Sequence, residues 1–408
     1  MKLLAQHGAS NGDKTARGLE KGYVDGVIYS PRDVTAPKLQ EHLAEAVKIK
    51  ANSTRLFDPQ YYACYNVSPQ DARLGRLATC EEYGKYFKRR RRNELEGDTA
   101  TLKRDIENCI EFQSNLDLTA LIAPNILITR SFDSIEAVIA KNFIRFTGSV
   151  AEEVHASRPV YATLAVSREA LLDKTELLDF LTDITLLDHP PGGFYVLVAS
   201  RSEDARSDIF NADVIAGWML LNHTLAINGY EVINGYSDII TPFLGMAGAT
   251  AGATGWWSNL RTFSLNRFLP AGGGRLPIQR YLSGRLLNRV TFFELNQLRS
   301  RYSDILNGLE TDALYPEDRG SEPDRADEVL QTWQTLKTLN DDLVRRSVGE
   351  SMAACREAIA GASAAYDEIQ ATIRLDQKSN ADHLPAILEG IRVFSQLAEM
   401  EGTTLEQP

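Results

Sequence analysis

The sequence lacks the short motifs that identify several large enzyme classes. It has no HExxH or HxH pair for a catalytic metal, and no GxGxxG or GxxxxGK[ST] loop for a dinucleotide or nucleoside triphosphate. Its four cysteines form no CxxC pair, so neither a disulfide framework nor a zinc site is indicated. No apolar run reaches the roughly 18 residues of a membrane-spanning helix. We expect a protein without metal or cofactor, in a reducing cytoplasm and not in a membrane.

Positive charge is also scarce, except in one short run. The formal net charge is −11, which argues against non-specific wrapping of nucleic acid. Five consecutive basic residues nevertheless follow aromatic residues near position 87, and such a run suits a nucleic-acid backbone. The alternative is a solvated helix face paired with nearby glutamates. The run consists of Lys88, Arg89, Arg90, Arg91 and Arg92.

Eight short apolar runs alternate with helix-like stretches over the first three-quarters of the chain. Most are continuously apolar, which is typical of strands buried on both faces. Strands alternating with helices indicate βαβ units and a parallel sheet, and eight units predict a closed (β/α)8 TIM barrel of the α/β class. The runs are Lys2–His7, Asp25–Ser30, Thr54–Pro59, Leu116–Pro124, Val160–Ser167, Gly193–Ser200, Tyr230–Tyr236 and Ala253–Trp257.

The chain is longer than a bare barrel of about 250 residues, so additional segments are expected. We assign 1–309 to the barrel, with an insertion at 60–115 after the third strand. A polar stretch at 310–327 predicts a linker, and 328–408 a C-terminal helical region that packs on the barrel or forms a homodimer. The predicted additional helices are Gln70–Arg92 and Thr99–Phe112 in the insertion, Pro277–Tyr302 closing the barrel, and Glu328–Val344, Gly349–Asp376 and His383–Glu399 at the C-terminus.

Residues that follow the strands form the active mouth of such a barrel, and this rule selects the candidates. Asp58 follows an apolar strand, where burial can raise its pKa, and we favour this interpretation over a carboxylate that only accepts hydrogen bonds from loop N–H groups. Asp238 follows the seventh strand, where it could instead cap a helix. His7 is a candidate proton shuttle or a simple hydrogen-bonding residue. The candidate catalytic residues are therefore Asp58, Asp238 and His7.

Polar and aromatic residues at the same strand ends are candidates for binding a ligand. Tandem tryptophans could stack on a base or sugar, but adjacent strand residues point to opposite sides, so we expect only one in the pocket. A glycine-rich loop after the eighth strand lies in the usual phosphate-binding corner and ends at Arg275. The candidate substrate-binding residues are Gln6, Arg32, Gln60, Tyr61, Asn125, Ser200, Asn234, Tyr236, Trp256 and Trp257, with Arg275 joining the basic run as a nucleic-acid contact.

The segment Phe57–Tyr62, with sequence FDPQYY, is similar to the segment after strand three of tRNA-guanine transglycosylases. The resemblance implies that Asp58 recognises a base and that Asp238, near the end of strand seven, is the nucleophile on the sugar. Relatives in that group act on DNA bases and include phage-defence glycosylases. The chain lacks the group's DCVxPTR motif and its zinc-binding cysteines.

These observations lead to a functional hypothesis: cleavage or exchange of an N-glycosidic bond in nucleic acid, with DNA favoured over RNA. A base would leave the stack, and a carboxylate would stabilise or trap the positively charged sugar. A second polar set would protonate the base. The alternatives are a phosphosugar-type lyase or hydrolase and a barrel that only binds a partner.

Overall fold

The structure, a computed structural model, describes residues 1–9, 12–66, 74–201, 210–268, 277–317 and 322–400. Nine parallel strands in these ranges form one sheet, and two further strands form a separate antiparallel hairpin. The sheet strands are β1 Lys2–Gln6, β2 Gly26–Tyr29, β3 Thr54–Phe57, β4 Leu121–Ile122, β5 Leu127–Ile128, β6 Val160–Ser167, β7 Gly193–Ala199, β8 Glu231–Asn234 and β9 Ala251–Thr254, and the hairpin strands are β10 Arg280–Ser283 and β11 Asn288–Thr291.

The sheet curves into a nearly closed barrel. Its hydrogen-bonded order runs from β3 through β2, β1, β9, β8, β7 and β6 to β4, with β5 also paired to β6. The gap between β3 and β4 is bridged by the Thr119 N–H, which donates to the Arg55 carbonyl at 2.9 Å. The predicted (β/α)8 barrel is therefore confirmed. Strands β2, β6 and β7 are buried throughout, because helices cover one face and the barrel interior the other.

Helices follow the strands in the expected alternation. Between the strands lie the helices of the outer layer, and three long helices complete the described chain. The helices are α1 Lys14–Glu20, α2 Ala36–Ile49, α3 Ala63–Asn66, α4 Arg76–Thr79, α5 Arg92–Leu95, α6 Thr99–Ser114, α7 Ile135–Glu153, α8 Lys174–Thr185, α9 Ala212–Ile227, α10 Thr241–Met246, α11 Ser258–Arg261, α12 Phe292–Leu298, α13 Arg325–Leu343, α14 Val348–Gln370 and α15 His383–Met400.

The predicted closing helix at Pro277–Tyr302 is wrong. This segment forms the hairpin β10–β11 and only the short helix α12. The eighth outer helix is instead α13, which packs against α1 and β1. Its Trp333 is fully buried and donates from Nε1 to the Thr254 carbonyl at 3.0 Å. Polar and apolar residues are interspersed on both sides of Gly284, as they are in a hairpin. The apolar content of the segment, taken alone, is also compatible with a helix.

Two further boundaries differ from the sequence prediction. The fourth run, Leu116–Pro124, forms only the short strand β4, and β5 lies beyond its predicted end, with Pro124 and Asn125 in the turn between the two strands. The single helix predicted at Gln70–Arg92 is wrong, because the described part contains α4, a 3-10 turn at Glu81–Lys85 and an extended stretch before α5. Residues 67–73 lie outside the described ranges. Helix α6 confirms the second helix of the insertion.

The C-terminal helices pack on the barrel. Helix α15 lies along α9, and His383 bonds the Leu287 carbonyl beside the hairpin at 2.9 Å. Lys337 of α13 forms an ion pair with Asp25 at 2.5 Å. The three predicted helices are confirmed, and α13 already begins within the predicted linker. Homodimer formation through these helices stays a prediction. None of the described helices is both long enough and apolar enough to cross a membrane.

Candidate functional site

Three polar side chains point into the barrel at the carboxyl ends of β1, β2 and β3. Asp58 contacts Tyr195 of β7 across the barrel at 3.4 Å, so this face is the inner one. Gln6 pairs with Ile28, and Ser30 follows Ile28 by two residues on the same side of β2. Because parallel strands end at one rim, Gln6, Ser30 and Asp58 meet at the mouth, as the strand-end rule predicts.

Asp58 is the centre of a hydrogen-bond network. It is fully buried and accepts from the Gln60 N–H at 3.0 Å and from the Tyr62 hydroxyl at 2.9 Å. The hydroxyls of Tyr195 and Tyr236 lie at 3.4 and 3.5 Å. Burial raises the pKa of Asp58 to about 6, although these hydrogen bonds act in the opposite direction. The carboxyl can therefore bind and release a proton near neutral pH.

A buried arginine covers this network. Arg267 is almost completely buried, and it donates to the Tyr236 hydroxyl at 2.8 Å and to Asp33 at 2.9 Å. Asp33 also forms an ion pair with Arg32 at 2.7 Å. Arg32, a predicted ligand-binding residue, is therefore already paired with a carboxylate of the protein. The ring of Phe263 lies 4.9 Å from that of Tyr62. Solvent therefore does not reach Asp58 in this conformation.

Several buried polar atoms at the mouth have no hydrogen-bond partner within the described ranges. Both amide atoms of Gln6 are in this state, as are Nε2 of Gln60 and Nε of Arg267. The Gln60 side-chain oxygen accepts from the Arg32 N–H at 3.0 Å. Because an unpaired buried polar group destabilises a fold, such a cluster is more typical of a functional site than of a structural core.

Backbone strain is concentrated at the same rim. Gln60, Tyr236 and Asp238 have φ angles of 52°, 55° and 40°, in the left-handed region that non-glycine residues rarely adopt. Residues held in this region cost free energy, and they cluster at ligand-binding sites. The strained turn after β8 directs the Tyr236 hydroxyl towards Asp58 while Tyr236 and Asp238 both line an adjacent cavity.

That cavity has a volume of about 640 Å³ and lies at the carboxyl ends of β7, β8 and β9. Its barrel wall contains Ser200, Tyr236 and Asp238 together with Trp256 and Trp257. The opposite wall comes from outside the barrel, from the hairpin β10–β11, the start of α13 and residues 376–378. The long segment after β9 therefore builds half of the site.

Asp238 is held in the cavity wall by an arginine of the hairpin. Both terminal nitrogens of Arg289 donate to its carboxylate at 2.7 Å, and the Thr254 hydroxyl donates at 2.9 Å. Burial alone would raise the pKa of Asp238, but the Arg289 charge and hydrogen bonds bring it below the usual value. Asp238 is therefore firmly ionised at neutral pH, whereas Asp58 takes up a proton as the pH falls towards about 6.

Positive charge predominates in the cavity wall. Six arginine or lysine side chains line it, against three carboxylates. Each carboxylate pairs with a lining arginine: Asp238 with Arg289 at 2.7 Å, and Glu328 with Arg261 at 3.1 Å. The third pair joins the cavity's Arg280 and Asp376 at 2.9 Å. In a chain of net charge −11, this excess of cations favours an anionic ligand.

Both tryptophans line the cavity, contrary to the expectation that only one would, but they differ in exposure. Trp256 is 7% exposed, and its ring lies 5.5 Å from His7 and 6.5 Å from Trp333. Trp257 is partly exposed, and Arg325 lies 5.8 Å from the centre of its ring. Trp257 is therefore the better stacking surface for a planar ligand.

Eight of the predicted catalytic and substrate-binding residues do not line this cavity. Four of them, Asp58, Gln6, Arg32 and Gln60, lie in or beside the buried network described above, and the other four lie elsewhere. Asn234 turns outward and accepts from Trp218 of α9 at 2.7 Å, because alternate strand residues face opposite sides. Asn125 donates to the Thr163 carbonyl at 2.7 Å. Tyr61 is buried and donates to Asp105 of α6. His7 lines a different and smaller cavity.

The basic run lies beside β3 and contributes nothing to the cavity wall. Arg90 is nearly buried and donates to Asp105 at 2.5 and 2.9 Å, so it is a structural ion pair. Arg92 pairs with Glu96 at 3.3 Å, as the solvated-face alternative expects. Lys88 and Arg91 are exposed. Arg275, the predicted phosphate contact, lies outside the described residues.

Sequence reasoning missed the residues that the fold brings in from a distance. Arg267 and Arg289 follow the last barrel strand, and Glu328 belongs to α13. The pattern around Arg289 could have indicated a strand, but nothing local shows that it meets Asp238, 51 residues away. Tyr195 lies inside β7, and the sequence prediction considers only residues that follow the ends of strands.

Comparison with known proteins identifies no family. No family model matches the chain, and neither does any curated protein. Across the described part of the chain, no three His, Cys, Asp or Glu side chains converge as metal ligands. The fold and the site therefore define a (β/α)8-barrel protein with a cationic cavity and two carboxyl groups of opposite pKa shift at its mouth. The similarity of Phe57–Tyr62 to tRNA-guanine transglycosylases stays a prediction.

Proposed function

We propose that the protein is an enzyme that cleaves or exchanges an N-glycosidic bond of a nucleotide unit in nucleic acid, DNA in the first place. The observation that carries the proposal is the ionised Asp238 in a cavity with excess positive charge. The cations suit the phosphate of the ligand, and the carboxylate suits the positive charge that develops on its sugar. A polar, convergent mouth of this kind favours an enzyme over a partner-binding scaffold.

Asp238 is the proposed group beside the sugar. Its two hydrogen bonds to Arg289 and one from Thr254 fix its position, so little reorganisation is needed as charge develops. A carboxylate so placed either stabilises the sugar cation or bonds to its carbon as the bond to the base breaks. This role agrees with the one that the family resemblance implies for Asp238.

Asp58 is the proposed source of the proton for the leaving base. Its pKa of about 6 suits proton exchange near neutral pH, but its burial rules out direct contact with a ligand in this conformation. Tyr236 lies between Asp58 and the cavity, which it also lines. We therefore route the proton from Asp58 through the Tyr236 hydroxyl to the base.

The size and wall of the cavity suit one nucleotide unit. A volume of about 640 Å³ falls in the range of roughly 300–1,000 Å³ that is usual for small-molecule sites. Trp257 offers a partly exposed ring for stacking a base, and Ser200 lines the same cavity as a hydrogen-bonding group. A base drawn out of a strand would enter as a single unit.

The test is single-turnover base release from modified and unmodified DNA and RNA, with mass analysis of the products. We expect Asp238→Asn to lower the rate on the order of 10²-fold or more while the protein stays folded. Asp376→Asn is the matched control, because Asp376 lines the same cavity and pairs with an arginine but lies outside the barrel. An equal loss in both variants, or wild-type rates in Asp238→Asn, would refute the assigned role.

A second candidate is a small-molecule enzyme acting on a phosphosugar or free nucleotide. Two observations favour it. The hairpin β10–β11 forms one wall of the cavity and leaves less room for a polymer, and none of Lys88–Arg92 is among the described residues that line the cavity. A panel of nucleoside 5′-monophosphates in the same assay separates the two candidates. Release of base from the monophosphates but not from DNA or RNA would select the small-molecule enzyme.

A further inference from the structure

A second cavity lies outside the barrel wall, between α1 and α2. Its volume is about 240 Å³, and its lining comes from the ends of β1 and β2 and from the facing sides of the two helices. It contains His7, which the catalytic cavity does not use. The second cavity therefore needs an explanation separate from the proposed reaction.

His7 is the buried polar group of this cavity. The residue is 5% exposed, and its Nδ1 has no hydrogen-bond partner in the part of the chain that the structure describes. Its ring lies 5.0 Å from Tyr29 and 5.1 Å from His42, which also line the cavity. Burial lowers the pKa of His7 to about 3 and also lowers that of His42, so both rings are uncharged at neutral pH. An uncharged imidazole offers a nitrogen that accepts an N–H.

The charge of the lining is negative. Asp13 and Glu45 contribute carboxylates, and neither lysine nor arginine is among the described residues that line the cavity. Lys14, whose charge also acts on His7, does not line the cavity, and its ammonium lies 5.7 Å from the centre of the Trp256 ring. Leu19 and Ile49 supply apolar surface beside the carboxylates. A ligand that matches this wall has a cationic end and a short apolar body.

We propose that this cavity binds a small aliphatic amine in its ammonium form. The ammonium would donate to Nδ1 of His7 and lie near Asp13 and Glu45, while the carbon chain would contact Leu19 and Ile49. The volume exceeds the roughly 150 Å³ that accommodates benzene, so a chain of about four to six carbons fits. Because no described group of three side chains converges as metal ligands, an organic cation fits better than a metal ion.

The site adjoins the catalytic cavity through one side chain. The ring centres of Trp256 and His7 lie 5.5 Å apart, with the rings nearly perpendicular, and Trp256 also lines the larger cavity. A bound amine therefore changes the surroundings of a tryptophan, which its fluorescence reports. Binding can be measured in this way without any assay of base release, so the result is independent of the proposed function.

The experiment titrates the full chain with n-butylamine at pH 7, with butyrate and n-butanol as charge-reversed and neutral probes. We expect a saturable change in tryptophan fluorescence and a rise in melting temperature with butylamine alone. Absence of saturable binding, or equal binding of butyrate, would overturn the proposal. A response to butanol equal to that to butylamine would also overturn it, because the carboxylates would then play no part.

Variants of the exposed carboxylates Asp13 and Glu45 locate the site without endangering the fold. We expect Glu45→Gln and Asp13→Asn each to weaken butylamine binding about two- to fivefold, and the double variant roughly tenfold. Glu41→Gln is the matched control on the same helix, because Glu41 pairs with Lys38 and does not line the cavity. Equal weakening by Glu41→Gln, or no weakening in the double variant, would place the amine elsewhere.

Discussion

At the scale of single residues, the mouth of the barrel holds two carboxyl groups whose pKa values are shifted in opposite directions by their surroundings. Asp58 is buried among tyrosines, and burial raises its pKa to about 6. Asp238 is also enclosed, but Arg289 bonds both its oxygens and brings its pKa below the usual value. Neighbouring acids with pKa values moved apart are how a site divides proton transfer from charge stabilisation.

Asp58→Asn should change the pH dependence of stability in a predictable direction. The folded protein holds this proton up to about pH 6, whereas an unfolded aspartate loses it near pH 3.9. The unfolding free energy of the wild type therefore decreases as the pH rises through this interval, because the folded state holds a proton that the unfolded state has lost. The variant has no such proton and lacks this decrease. We expect the variant to gain on the order of 2–3 kcal/mol relative to wild type between pH 4 and pH 7. Chemical denaturation at several pH values measures this gain.

Asp238→Asn provides the contrast in the same measurement. Its lowered folded pKa contributes stability above the unfolded pKa of aspartate, and this contribution is lost as the pH falls through the folded value. We expect a loss of about 3 kcal/mol at pH 7, since Arg289 keeps a largely buried charge without its partner. Identical pH profiles for the two variants would show that their environments do not differ as described.

At the scale of elements, the basic segment Lys88–Arg92 divides into a structural part and an exposed part. Arg90 pairs with fully buried Asp105, which also accepts from the Tyr61 hydroxyl. The side chains of Lys88 and Arg91 are exposed. A run that is uniform in sequence therefore occupies two structural environments, and its charge count alone overstates the positive charge that is exposed at the surface.

The variants Arg90→Ala and Arg91→Ala should distinguish the structural part of the segment from its exposed part. We expect Arg90→Ala to cost about 3 kcal/mol of unfolding free energy, because it leaves the buried Asp105 without its guanidinium, and Arg91→Ala less than about 0.5 kcal/mol. Equal costs in thermal or chemical denaturation would contradict the buried pair. If the exposed charges contact DNA, a combined Lys88→Ala and Arg91→Ala variant lowers the slope of log affinity against log salt by about 0.9 per lost contact.

At the scale of the whole molecule, the last quarter of the chain completes both the barrel and its site. Helix α13 is the eighth outer helix, anchored by Trp333 on the Thr254 carbonyl and by Lys337 on Asp25. The hairpin β10–β11 brings Arg289 to Asp238. A barrel that ends near residue 309 would therefore lack one of its helices.

A chain ending at residue 317 should fail to fold cooperatively. Without α13 the outer face of β1 loses its cover, and the Thr254 carbonyl at the end of β9 loses the Trp333 indole, which exposes apolar surface in the barrel wall. In the full chain we expect Trp333→Ala to cost about 3–5 kcal/mol, since Trp333 is fully buried. Phe293→Ala is the control, because Phe293 is 64% exposed and should cost less than about 1 kcal/mol. A truncated chain that melts cooperatively with near-native circular dichroism would contradict this arrangement.

The sequence by itself determined the barrel, the order of its strands and the rim where its polar residues meet. Apolar runs and helical spacing are local signals, and parallel strands necessarily end at one rim, so Asp58 and Asp238 could be selected without a structure. Only the tertiary structure decided on which face of β8 Asn234 lies and that Tyr195 contacts Asp58. It also decided that a hairpin, and not a helix, places Arg289 against Asp238. These outcomes depend on contacts between segments far apart in the chain, and no local pattern records the free energy of such contacts.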